Sequence, residues 1–139
     1  MKRIILVLVV ILISTNTLHA AKFNWKKIST NAGDGSIFYL DKNTTYKVGG
    51  YVYYWMLADY FDDDDADVQS SITHNMVKCN TFENKYITFT GFTEHRGKGD
   101  ISLDFDFIVP EAVPDVFVWN KFPKNSTHGL VLKEVCKIW

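Results

Sequence analysis

Tyr51-Val52-Tyr53-Tyr54-Trp55-Met56-Leu57-Ala58-Asp59-Tyr60 is the stretch that decides the fold of this chain. Aromatic and apolar residues run through it without a break, which suits a pleated, buried surface. Side chains alternate across a strand, so Tyr51, Tyr53, Trp55 and Leu57 share one face, and Val52, Tyr54, Met56 and Ala58 share the other. Neither face is polar throughout. Such a strand belongs in the middle of a sheet.

Further strand signals lie on both sides. Upstream, residues 24–30 and 36–41 read as strands joined by the turn Asn31-Ala32-Gly33-Asp34-Gly35, whose Gly and Asp accept positive φ cheaply. Gly49-Gly50 is a break, or a bulge within a longer strand. Downstream, residues 70–79 and 85–94 read as strands across the turn Asn80-Thr81-Phe82-Glu83-Asn84. Gly97-Lys98-Gly99-Asp100 is the tightest hairpin candidate. Ile101-Ser102-Leu103-Asp104-Phe105-Asp106-Phe107 alternates strictly, which predicts one core face and one wet face. Pro110 and Pro114 open an irregular segment that lasts to Pro123. Ser126 then caps a short helix, on which Leu132, Val135, Cys136 and Trp139 form one stripe. The expected fold class is α+β, mainly antiparallel β: a meander of about six strands with one C-terminal helix packed on a face.

The start of the chain has a different character. Met1-Lys2-Arg3 precedes the apolar run from Ile4 to Ile13, and a polar stretch ends at Ala20. A spanning helix needs about 20 apolar residues, so this run is too short to span. It has the layout of a signal peptide. Residues 1–20 are therefore expected to be removed, leaving 21–139 as one domain that is periplasmic or secreted. No cysteine follows the apolar run, so no lipid-attachment site and no stable membrane anchor are expected. With Lys2 and Arg3 gone, the 15 basic residues fall to 13 against 16 acidic ones. No clustered Lys/Arg surface is evident, so nucleic acid is not an expected partner.

Two cysteines are present, Cys79 and Cys136. In an oxidising compartment an isolated pair is usually a disulfide. A metal site would need more ligands, and a redox pair would usually be C-x-x-C. The two lie nearly sixty residues apart, and Cys136 falls on the apolar stripe. The bond would pin the helix to the sheet on the side where the helix packs.

Candidate chemistry is thin. Asp62-Asp63-Asp64-Asp65-Ala66-Asp67 offers hard oxygen ligands. It lacks the central Gly and distant Glu of a calcium loop, and neighbouring carboxylates diverge, so it reads as a solvated hairpin tip. His74, His95 and His128 would need to converge, in an apolar cavity, to hold metal or haem, and nothing in their spacing says that they do. No nucleophile elbow, zinc-protease motif or phosphate loop is present. Asp104 and Asp106 lie on the wet side of an alternating strand, unlike a buried catalytic pair. No catalytic residue, cofactor or metal is expected. Tyr51, Tyr53, Trp55 and Trp119 are the candidate binding surface, because aromatic rings with a polar handle favour recognition; packing beneath the helix is the alternative use of the strand rings, and covering the sheet edge that of Trp119.

One resemblance covers most of the chain after residue 20. Trp25-Lys26-Lys27-Ile28, Phe38-Tyr39-Leu40-Asp41, Trp55-Met56-Leu57-Ala58-Asp59-Tyr60, Val77-Lys78-Cys79, Trp119, Phe122-Pro123 and Gly129 to Cys136 occur in an order that resembles the surface-adhesin protein E-like domains of Gram-negative bacteria. The resemblance implies a curved sheet with the helix bridged to its concave face. It also implies an adhesin that binds host matrix and serum proteins, can bind haem and can dimerise. That type of adhesin is lipid-anchored, and this chain departs from it there. The expected function is an exported, non-catalytic binding module for a protein or a small apolar ligand. The alternative is a soluble periplasmic accessory subunit with an envelope-protein partner, and a homodimer is compatible with either.

Overall fold

A computed structural model describes residues 23–62, 67–106 and 119–139. The expected signal peptide at 1–20, most of the aspartate run and the Pro110–Pro114 segment lie outside those residues. Among the described residues seven strands form one antiparallel sheet: β1 Lys26–Thr30, β2 Ile37–Val48, β3 Tyr51–Asp59, β4 Ser70–Lys78, β5 Glu83–Glu94, β6 Lys98–Asp106 and the two-residue β7 Asn120–Lys121. The first six follow one another across the sheet as a meander, and β7 pairs with β5. Helix α1, Thr127–Lys137, completes the fold. β3 is an interior strand, as its two apolar faces predict.

One face is built around the helix. Leu40, Val52, Tyr54, Met56 and Val77 pack against Val131, Leu132 and Val135. Each fully buried aliphatic side chain contributes roughly 1.5–3 kcal/mol, so the helix holds largely through this stripe. Ser126 caps α1: its Oγ accepts from Gly129 N at 3.0 Å and donates to the Pro123 carbonyl at 2.7 Å. Ser29 Oγ donates to the Thr127 carbonyl at 3.0 Å and ties the helix start to β1. The disulfide joins Cys79, just past β4, to Cys136 in the last turn of α1, with Cα atoms 5.7 Å apart.

Three local expectations are corrected. The second strand does not stop at Asp41; β2 runs on to Val48 across an irregularity between Asp41 and Tyr46. Asp41 makes that irregularity: its Oδ1 accepts from Asn43 N, and its carbonyl accepts from the Thr44 and Thr45 hydroxyls. Trp139 leaves the helical stripe, because α1 ends at Lys137 and the indole is 57% exposed. β6 is an edge strand on which Leu103 and Phe105 stay substantially exposed, so its alternation marks no closed core face among the described residues.

Gly129 has a specific packing role. A Cβ there would collide with the Pro123 carbonyl oxygen and press on Lys124. Gly129→Ala is expected to cost about 2 kcal/mol through overpacking at the cap. Thermal unfolding compared with Leu130→Ala, a neighbouring exposed position, measures it; equal melting temperatures would refute the contact.

Candidate functional site

The alternation of β3 sends Tyr51, Tyr53 and Trp55 to the face away from the helix, and cross-strand pairing gathers more rings around them. Trp55 is registered with His74 on β4, and the two rings stack at 4.5 Å and 9°. Tyr53 is registered with Tyr46 on β2, and these stack at 4.9 Å and 3°. Phe23 lies between Trp25 and Trp55, with centroids at 4.6 and 5.3 Å. At the end of the row Tyr51 stacks with Trp119 at 5.9 Å. Lys78 Nζ sits 3.9 Å from the Trp119 ring centre, a cation–π contact. All four candidate aromatic residues thus share the face opposite the helix, half-buried against one another. Packing beneath the helix falls to Tyr54, the next residue along.

Within this cluster His74 Nε2 is buried and has no hydrogen-bond partner among the described residues. Burial lowers the His74 pKa and favours the neutral ring. A buried nitrogen left unmatched costs about 1–3 kcal/mol. The three histidines do not converge. His74 is on this face and His128 is buried on the helix face, while His95 stacks on Phe61 at 4.4 Å. Among the described residues no group of three His, Cys, Asp or Glu side chains could hold a metal ion.

The helix face carries a second feature that sequence reading missed. A buried chain of hydrogen bonds runs His128 to Tyr54 (3.2 Å), Tyr54 to Asn84 (2.7 Å), Asn84 to Asn75 (3.3 Å) and Asn75 to Thr73 Oγ1 (2.7 Å). The Tyr54 hydroxyl donates its one proton to Asn84 Oδ1, so His128 Nε2 must be the donor to Tyr54. Burial pulls the His128 pKa down to about 4 and pushes that of Tyr54 up. The helical stripe did hold a signal for His128, which lies four residues before Leu132. Beside this chain a cavity of about 560 Å³ opens between sheet and helix start. Phe38, Tyr60, Tyr86, Phe89 and Phe122 line it, and no charged side chain does so among the described residues. Burial raises the Tyr86 pKa to about 12, so the phenol stays protonated.

Comparison with known proteins addresses the whole domain. The profile of surface-adhesin protein E matches residues 25–137. The chain belongs to the surface-adhesin protein E family. Two structures of Haemophilus influenzae protein E resemble it. One has a TM-score of 0.50 at 11% identity, covering 81% of this chain and 83% of that one. The second, crystal form II, has a TM-score of 0.50 at 11% identity, covering 82% and 96%. At that identity the likeness establishes the protein E fold. No curated protein sequence matches the chain. As a member of the protein E family it has the architecture of an adhesin-like surface binding protein, with sheet, C-terminal helix and the disulfide between them.

Proposed function

We propose that this protein is an exported, non-catalytic binding module that captures a protein partner at the cell envelope through the aromatic face of β2–β4. The observation that carries this reading is the Trp55–His74–Tyr53–Tyr46 cluster: stacked rings around a buried, unmatched imidazole nitrogen. Rigid aromatic rings at the centre of an interface supply most of its binding energy, and truncating one costs about 2 kcal/mol or more. Removal of residues 1–20 belongs to the same reading, and N-terminal sequencing of the exported form checks it. A mature chain beginning at Met1 contradicts export by cleavage.

The test is capture from host-matrix and envelope fractions, with affinity then measured for the captured protein. Trp55→Ala and Tyr53→Ala are each expected to weaken binding about 30-fold, while Phe89→Ala, in the helix-face cavity, leaves it unchanged. Equal affinity for all three variants rejects the aromatic face.

A second reading, an accessory subunit pairing with another envelope protein or with its own copy, is favoured by β6. Among the described residues the strand is at the sheet edge, and Ile101, Leu103 and Phe105 are 61%, 42% and 50% exposed. An open apolar edge is a template for strand addition. Sedimentation across a concentration series distinguishes the cases: association abolished by Leu103→Lys supports edge pairing, and a monomer throughout removes the homodimer.

A further inference from the structure

We infer that one end of the sheet is a docking surface for an anionic lipid bilayer, distinct from the Trp55–His74–Tyr53–Tyr46 cluster proposed above for a protein partner. The strand register gathers lysines at the end formed by the Gly49–Gly50 and Asn80–Thr81 turns. Lys47 is registered with Val52, Lys78 with Glu83 and Glu83 with Lys121. Lys121, Lys124 and Lys133 line one cavity of about 980 Å³ floored by Phe82, Phe122 and Pro123. Lys47 and Trp139 line a neighbouring cavity, and Cys79 and Asn80 belong to both. Among the described residues the acidic side chains here are Glu83, which accepts from Thr81 Oγ1, and Glu134, which pairs with Lys42 and Lys137. Asp34, Asp62, Asp67, Glu94 and Asp100 lie at the other end, where Arg96 and Lys98 are the cations. Among the described residues the charge is thus polarised along the strands.

Two further observations favour a lipid surface over a soluble polyanion. Trp139 and Val48 are each 57% exposed at this basic end. An exposed indole among lysines suits the membrane–water interface, where Trp is enriched and lysine reaches headgroup phosphates. The acidic opposite end would be repelled by the same surface, which orients the molecule with β6 and the aromatic face to its sides.

The test uses the chain from residue 21, which carries every described element, and vesicles of phosphatidylcholine alone or in equimolar mixture with phosphatidylglycerol. The protein is expected to cosediment with the mixed vesicles at low salt, to be released at high salt, and to ignore pure phosphatidylcholine. Lys121→Glu with Lys124→Glu should lower partitioning at least about tenfold, and Trp139→Ala should weaken it less. Trp55→Ala should leave it intact, so failure of the protein-binding reading stays separable. Equal binding to both vesicle types, no binding to either, or indifference to the lysine reversals overturns the inference. Retention on heparin without vesicle binding also overturns it, and assigns the basic end to a sulfated polymer.

Discussion

Replacing Cys136 by serine is expected to lower the stability of the folded chain by about 4 kcal/mol, since the bond closes a long loop and removes its entropy from the unfolded ensemble. The cysteines are 57 residues apart in sequence. A domain of this size has roughly 5–15 kcal/mol in total, so the variant would be marginal at growth temperature. The loss should be unevenly distributed. The sheet has its own ladders from β1 to β6, whereas α1 is held by Val131, Leu132, Val135, the Ser126 cap and the disulfide. Guanidinium unfolding gives the total. Hydrogen exchange gives the distribution: amides of α1 should lose protection first while β3 and β4 keep theirs. Uniform loss across the sheet would contradict a bond that acts through the helix. A total change below about 1 kcal/mol would show that residual denatured-state structure cancels the loop term.

The bond was legible because two signals coincided, an isolated cysteine pair after an export-type leader and Cys136 on an apolar helical stripe. β3 was legible for a similar reason: an unbroken apolar and aromatic run fits an interior strand and little else. The order of the six strands followed from the turns between them. What escaped reading was set by local irregularities. Asp41 bonds its own neighbours and so lets β2 continue past the residue where the sequence pattern ends the strand. An irregularity between His74 and Asn75 shifts the register against β5. Thr73, Asn75 and Asn84, which look like wet-face residues, face the helix side and are buried. Polar residues of that kind become core only when they satisfy one another, and no single-strand pattern reveals a partner on another strand. Of the candidate site, the shared face of Tyr51, Tyr53 and Trp55 was readable from alternation. The closing of Trp119 onto Tyr51, and the stacking of His74 on Trp55, required the register.

Lowering the pH from neutral to about 4 is expected to remove on the order of 3 kcal/mol of stability through His128 alone. The direction follows from linkage. Its folded-state pKa, about 4, lies below the ordinary value of 6.5, so the unfolded chain binds the proton more readily. The contribution is fully present above pH 6.5. It is lost progressively as pH falls towards 4, and about 2.5 units at 1.36 kcal/mol each sets its size. The structural cause is specific. Nε2 already carries a proton, donated to Tyr54, so a second proton must go onto Nδ1 of a ring stacked on Phe122 at 3.9 Å. The charge would be buried beside an apolar ring with no carboxylate among its hydrogen-bond partners. His74, lowered by burial as well, adds a loss of the same sign, so a difference measurement is needed. Guanidinium unfolding at pH 7 and pH 4.5, for the natural chain and for His128→Leu, supplies it. The leucine variant should be less stable at pH 7, where it loses the bond to Tyr54, yet should lose markedly less on acidification. Equal pH dependence in the two would place the acid sensitivity elsewhere, on His74 or on the carboxylates. If the difference does appear, the polar chain from His128 to Thr73 ties helix to sheet only while His128 is neutral. The helix side of the fold would then loosen in an acidic environment from its N-terminal turn, with the disulfide still holding the other end.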